Sequence, residues 1–411
     1  MTELEAVLRP TPAPFPWADE FFTFGVTGTN GKTSTASMLT HVLRTAGKSV
    51  LLETTLGYRL DEQELDVART MEGYVTAFKT AYDAGSRTAV AEVTSQALAR
   101  GYANKWRFDM GIFTNLSRDH LDAHGSFEHY LASKAQLFVH LGAGRTAVLN
   151  AADDAALLVD QVTPPDVTRL WYAAPTRGRR LREADLEAQQ IVVSATGTRV
   201  ELSPSPLADA LGGELHVSLI GHVFGENALA VACAASAYGI EPATLSRALD
   251  SMPIVPGRFE LIATHPVLVA VDFAHTPDAL ARTCDSARAL AGNHRVIVVF
   301  GAGGGRDKEK RRPMGQAVGQ RADVAWITND NPRHEDPSEI AKTVAAGCRK
   351  GGRAYVKTEL DRRLAIESAL GEARAGDVVV IAGKGHETGQ SIGAETLPFS
   401  DLEEARRMLT K

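Results

Sequence analysis

The chain has 411 residues, too many for one ordinary domain and enough to bury large cores without covalent staples. With 44% hydrophobic and 23% charged residues it reads as a soluble globular protein, and a net charge of −6 argues against nucleic acid as a partner. Cys233, Cys284 and Cys348 are too scattered for a metal pair or a disulfide framework, no apolar run reaches the ~20 residues of a membrane span, and no export signal opens the chain, so a cytoplasmic place without membrane contact is expected.

Residues 1–20 carry Pro10, Pro12, Pro14 and Pro16 and predict an extended N-terminal arm. From Phe21, β-rich apolar runs alternate with helical stretches, at 21–27, 49–54, 87–93, 109–114 and 146–149. A second series follows at 267–273, 295–300, 324–328 and 377–381. Alternation of this kind predicts an α/β protein with mostly parallel sheets. Met252-Pro253-Ile254-Val255-Pro256-Gly257 reads as a hinge between the two series. The expected domains are therefore a central phosphate-loop domain at 21–255 and a C-terminal Rossmann-like domain at 256–411. Residues 176–218 are polar, with short β pieces at 191–194 and 199–202, and predict a peripheral β insertion.

The first β run leads into Gly25-Val26-Thr27-Gly28-Thr29-Asn30-Gly31-Lys32-Thr33-Ser34, and a helix follows with Met38, Leu39, Val42, Leu43 and Ala46 on its apolar side. Such a turn lets backbone N–H groups converge on phosphate oxygens at the positive end of a helix. Lys32 supplies charge for the outer phosphates, and Thr33 a hydroxyl for Mg²⁺. Strict Walker spacing is not met, because Val26 stands where that pattern wants glycine.

The run at 87–93 carries Glu92, and 109–114 leads to His120; an oxygen and a nitrogen ligand could meet there at a cation. Residues 126–141 predict a helix with Phe127, Tyr130, Leu131, Leu137, Phe138 and Leu141 apolar, and Lys134 falls inside that stripe. Three readings stay open for it. The lysine snorkels to water, it pairs with a carboxylate, or it is desolvated, loses its proton and reacts with CO₂ to a carbamate.

Five motifs together resemble the Mur ligase family, and within it the members that add the third residue of the peptidoglycan stem peptide. They are Gly28-Thr29-Asn30-Gly31-Lys32-Thr33, Thr114-Asn115-Leu116-Ser117-Arg118-Asp119-His120-Leu121-Asp122, Asp272-Phe273-Ala274-His275-Thr276-Pro277-Asp278, Asp330-Asn331-Pro332-Arg333 and Gly383-Lys384-Gly385-His386-Glu387. The resemblance implies an ATP-dependent carbon–nitrogen ligase that joins an acid to an amino acid, forms ADP, and passes through an acyl phosphate. It implies ATP and two Mg²⁺ ions, with Glu92, His120 and a carbamylated Lys134 at the second ion. Catalysis would rest on Lys32, Lys134 and His120. Asn227 would lie by the adenine, Arg258 would meet a phosphate, and Asp272 and His275 would sit near the ribose and adenine. Asp330, Asn331 and Arg333 resemble the version that takes meso-diaminopimelate, with Arg333 on its distal carboxylate and Arg306, Gly383 and Glu387 on the distal head. The partners implied are small molecules: ATP, an amino acid and a peptide-like acceptor of cell-wall synthesis.

The chain departs from these relatives at the acceptor. They carry a uridine-nucleotide domain before the phosphate loop, and this sequence is expected to lack one. Ala68-Arg69-Thr70-Met71 stands where they have Asn-Thr-Thr-Pro, Thr94-Ser95-Gln96 where they have Ser-Ser-His, and Tyr102 in place of an arginine. A different or smaller acceptor is expected; the alternatives are an unchanged acceptor held more weakly, or a partner that supplies the missing domain. Two other readings are a polyglutamylating ligase resembling folylpolyglutamate synthase and a silent nucleotide-binding regulator. The Asp330–Arg333 motif and the His120/Lys134 spacing speak against the first. The intact Lys32, Thr33, Glu92, His120 and Lys134 speak against the second.

Overall fold

The computed structural model describes residues 15–410, so most of the predicted arm, 1–14, lies outside the described residues. Residues 16–20 correct that prediction: Pro16–Glu20 is a short 3-10 helix. Proline at its first position presets φ for a helical turn. Trp17 then docks with its ring 5.7 Å from that of Tyr82 and 6.2 Å from that of Trp106.

Eleven strands form one sheet. They are β1 (Phe22–Thr27), β2 (Val50–Thr54), β3 (Gly57–Leu60), β4 (Gln63–Leu65), β5 (Thr88–Glu92), β6 (Met110–Phe113), β7 (Thr146–Asn150), β8 (Thr168–Ala173), β9 (Leu186–Ser194), β10 (Gly197–Leu202) and β11 (Glu214–Val217). Their order is β11-β10-β9-β8-β7-β6-β1-β5-β2-β3-β4. The middle is parallel and both edges are antiparallel. Central strands are buried on both faces, which is why β1 and β5 read as continuous rather than alternating apolar runs. The helices Lys32–Thr45 and His222–Ala237 cover one face, with Met38, Leu39, Val42 and the alanine-rich 228–235 in its core. Met71–Asp83 and Phe127–Val139 cover the other.

The predicted peripheral insertion proves to be part of this sheet. Leu186 and Glu187 pair in parallel with Tyr172 and Ala173, and β10 and β11 continue outward. Buried Leu186, Ala188, Ile191 and Val200 hold it there. Gly225 of the covering helix allows the approach, since a Cβ would stand 2.9 Å from Ile191. Only one face of these strands is buried, so their polar outer face disguised them in sequence.

The second sheet contains β12 (Glu260–Ala263), β13 (Leu268–Asp272), β14 (Val296–Phe300), β15 (Val324–Ile327), β16 (Tyr355–Thr358) and β17 (Val378–Ala382), in the order β12-β13-β17-β14-β15-β16. All pairs are parallel except β12 with β13. A hairpin, β18 (Gly389–Ile392) and β19 (Glu395–Pro398), stands apart. The loops that leave the carboxyl ends of β1, β5, β6, β13, β14, β15 and β17 line one cleft, where open α/β sheets bind ligands. Among the described residues no helix is long and apolar enough to cross a membrane.

Candidate active site

The cleft between the two sheets encloses about 690 Å³. Its floor is the turn after β1. Gly28 has φ +151° and Gly31 φ +85°, conformations that favour glycine. Space demands it as well, because a Cβ on Gly28 would lie 1.9 Å from Thr114 Oγ1 and one on Gly31 would lie 2.7 Å from Asn227 Oδ1. Thr114 Oγ1 and Asn115 Nδ2 donate to Asn30 O, at 2.7 and 3.0 Å, and set the loop's shape.

Lys32 Nζ donates to Thr29 O at 2.9 Å and lies 3.9 Å from Glu92 Oε1. Thr33 Oγ1 donates to Glu92 Oε2 at 2.7 Å and accepts from Arg258 Nη2 at 3.1 Å. Lys134 is buried, and Nζ donates to Gly28 O at 2.6 Å. Of the three readings of this lysine, snorkelling is excluded. Burial, and then the charge of Lys32, push its pKa well below the ordinary lysine value. The predicted apolar stripe needs one correction: Phe127 is 40% exposed at the start of its helix, so the stripe begins at Tyr130.

His120 stands at φ +55° where the loop after β6 enters a short helical turn. Burial lowers its pKa to about 4, which leaves a neutral imidazole with a lone pair near pH 7. Its Nε2 lies 3.4 Å from Asp119 Oδ2. Burial works to raise the Asp119 carboxyl, but His275, Lys310 and His120 outweigh it and hold it below the usual carboxylate range.

Among the described residues no group of three or more His, Cys, Asp or Glu converges as a metal site. Glu92 and His120 line the cleft together with Lys134, an oxygen donor and a nitrogen donor beside a buried lysine. The site also fits a nucleoside triphosphate. Arg258 Nε, Asn227 Nδ2 and His386 Nδ1 are buried without a protein partner. Of these, Arg258 and His386 line the cleft, and Arg258 offers a donor to oxygen or nitrogen acceptors of such a ligand.

Thr29–Ser34, Glu92, His120, Lys134, Arg258, Asp272, His275, Arg306, Asp330, Asn331, Arg333, Gly383 and Glu387 all line this cleft. Gly28 and Asn227 do not: Gly28 presents its carbonyl to Lys134, and Asn227 packs behind Gly31. Asp272 accepts from Thr283 Oγ1, and His275 Nε2 points towards Asp119 Oδ2, 3.7 Å away. Arg306 Nη1 lies 3.7 Å from Asp122 Oδ2, and Arg333, at φ +52°, donates from Nη1 to Gly304 O at 2.7 Å.

The bridges across the cleft carried no assigned role in the sequence. Lys310 Nζ donates to Asp119 Oδ1 at 3.0 Å, Arg118 Nε to Asp307 Oδ2 at 3.1 Å, and Asn30 Nδ2 to Asp278 Oδ2 at 2.8 Å. Asp119 and Asp278 sit inside quoted motifs, which was a signal. Lys310 lies in a charge-rich loop that reads as a solvated surface.

Fold, phosphate loop and cleft together define a phosphate-loop α/β enzyme with room for a nucleotide between its two sheets. Residues 26–235 match the Mur ligase middle domain, and 257–385 match the Mur ligase glutamate ligase domain. This chain belongs to the Mur ligase family. It is 39% identical over 391 residues to the UDP-N-acetylmuramoyl-L-alanyl-D-glutamate–2,6-diaminopimelate ligase of Solibacter usitatus, across 94% of this chain and 76% of that protein. The enzyme of the same name from Bacillus velezensis is 38% identical over 397 residues, across 94% and 78%. A solved structure of a ligase with that name superposes with a TM-score of 0.65 at 31% identity, over 95% of this chain and 78% of the other. Mycobacterium tuberculosis folylpolyglutamate synthase complexed with ADP shares the fold, with a TM-score of 0.70 at 18% identity over 89% and 88%.

Proposed function

We propose that this ligase adds a diamino acid, meso-diaminopimelate fitting best, to a peptide or muropeptide-like carboxylate through an acyl phosphate, in cell-wall peptide synthesis. One observation carries the reading. Arg306 and Arg333 stand in the same cleft as Asn331 and Glu387, contributed by loops of the second sheet. Two guanidiniums suit a carboxylate and a glutamate suits an ammonium, so the set matches an amino-acid head distant from the reacting amine. The relatives' names point the same way.

Bound Mg²⁺ would neutralise charge on the transferring phosphoryl group, one ion at Thr33 and Glu92 and the other at Glu92, His120 and carbamylated Lys134. Lys32 and the loop N–H groups hold the triphosphate in line with the acceptor carboxylate. Arg258 adds a donor from the second sheet's side. His275, Lys310 and Asp119 tie the two sheets' loops together over the site, which excludes water from a reactive acyl phosphate. The amine then attacks that carbonyl and phosphate leaves.

Removing one partner of a desolvated arginine–carboxylate pair costs about 2–5 kcal/mol. Arg333→Ala is therefore expected to lower kcat/KM for diaminopimelate at least about tenfold. Wild-type enzyme that uses lysine and diaminopimelate at equal rates contradicts the assignment.

The acceptor reading is supported by another part of the lining. Arg69, Thr94, Ser95 and Gln96 line it, where the relatives' nucleotide-acceptor motifs stand in sequence. Tyr102 does not reach the cleft; its hydroxyl donates to Glu53 Oε2 at 3.4 Å. Contacts that would hold a sugar nucleotide are thus replaced, and binding energy must come from contacts. A nucleotide-free peptide acceptor is expected to give kcat/KM at least equal to that of its uridine-diphosphate-linked form. Measuring both with saturating ATP and one amino acid decides it, and a large preference for the linked form overturns it.

A further inference from the structure

Lys384 has no part in the chemistry above, yet its side chain is completely buried. A buried ammonium is costly unless its hydrogens are taken up. Gly383 (φ +119°) and Gly385 (φ +54°) flank it in the loop after β17. Gly383, His386 and Glu387 line the cleft, and Lys384 does not. Neither glycine tolerates a side chain, since a Cβ on Gly383 would stand 2.5 Å from Asp330 Oδ2 and one on Gly385 2.8 Å from Gly257 O. The loop is thus held tightly, with the lysine turned beneath the site.

Its hydrogens go to two groups. Nζ donates to Asn331 Oδ1 and to Glu387 Oε2, each at 3.0 Å. Asn331 Nδ2 closes the triangle on Glu387 Oε2, also at 3.0 Å. A third contact settles which way the amide faces: Ser391 N, on β18, donates to Asn331 Oδ1 at 2.9 Å. The Asn331 oxygen therefore takes two donors, and its nitrogen must face the carboxylate. Both donors to Glu387 converge on Oε2. Among the described residues Oε1 accepts no hydrogen bond, on a side chain that is 35% exposed at the cleft.

We propose that Lys384 is a positioning residue for the incoming amino acid: acting through Asn331 and Glu387, it turns Glu387 Oε1 towards the cleft to receive an ammonium of a diamino acid. The inference rests on the reading of the substrate as a diamino acid. Lys384 touches no substrate, so its removal acts on amino-acid binding and leaves the phosphoryl chemistry alone.

The test uses the full-length enzyme and the variants Lys384→Met, Lys384→Arg, Glu387→Gln and the Lys384→Met/Glu387→Gln double variant. Methionine keeps the length of the chain and removes the charge. Lys384→Met is expected to raise KM for diaminopimelate about ten- to a hundredfold, the scale for losing a buried charged partner. KM for ATP should stay within about threefold, because the lysine does not line the cleft and its partners are Asn331 and Glu387. Lys384→Arg, which keeps the charge and the donors, should recover part of the loss. The double variant should be no worse than the poorer single one, because two members of one unit do not add. A folded Lys384→Met enzyme with unchanged KM for diaminopimelate overturns the proposal, as does a double variant whose losses simply add. Where Lys384→Met fails to fold, Glu387→Gln alone still decides, through its discrimination between diaminopimelate and the analogue lacking the distal amine. Undiminished discrimination overturns the proposal. Wild-type enzyme that uses that analogue as well as diaminopimelate instead overturns the substrate reading beneath it, a separate outcome.

Discussion

Lys32→Ala is expected to lower turnover by about a hundred- to a thousandfold, the usual loss when one preorganised donor to developing charge is removed. Lys32 Nζ now reaches only back to Thr29 O and towards Glu92, with its side chain 15% exposed at the mouth of a glycine turn. That turn can cradle a triphosphate but has little charge of its own, so the ammonium carries the compensation. Stability should move the other way or not at all. Burial lowers the pKa of Lys32 on folding. A lysine so shifted binds its proton less well in the folded chain than in the unfolded one, so it costs stability while the unfolded chain keeps it protonated. The variant should melt no lower than wild type at pH 7. Undiminished ADP release would remove Lys32 from the mechanism, and a collapse in Tm would turn the loss into a folding effect.

Lys134→Ala carries the second large effect, a loss of most activity, again about a hundredfold or more if one ligand to a catalytic cation disappears. Desolvation and neighbouring Lys32 favour the neutral amine. A neutral amine adds to CO₂: an N–C bond forms, one proton leaves, and the product is a carboxylate in the cleft that Glu92 and His120 also line. Low pH should oppose this by protonating the amine, so activity restored by added bicarbonate should be restored less at lower pH. In the alanine variant a short free carboxylate such as acetate should recover part of the rate by filling the vacated space. Full activity in Lys134→Ala, or a wild-type mass without the added carboxylate in protein kept under CO₂, would dismiss the carbamate.

The strands and the phosphate loop were legible because their causes are local. Buried parallel strands are continuous apolar runs, and a glycine turn between strand and helix announces itself within a few residues. The runs at 21–27, 87–93 and 377–381 coincide with β1, β5 and β17 to within a residue or two. Strands with one wet face are harder to read: β11 and β16 carry little apolar signal, and 176–218, which reads as peripheral, extends the main sheet at one edge. Their apolar positions are few, and only pairing across the fold shows what they bury.

The cleft divides in the same way. Which residue types stand after which strands is readable along the chain: the lysine and threonine of the loop, Glu92, His120, and the Asp330–Arg333 and Gly383–Glu387 turns. Tertiary structure alone decided what those residues do to one another. Lys310 and Asp119 lie 191 positions apart and meet at 3.0 Å; Lys134 donates to a carbonyl 106 positions away; Lys384 reaches Asn331 across 53. Charge pairing and desolvation depend on distance and on excluded water, and neither is written along the chain. A lysine on an apolar stripe is ambiguous until its burial is known, and a lysine in a motif has no role until its partners are.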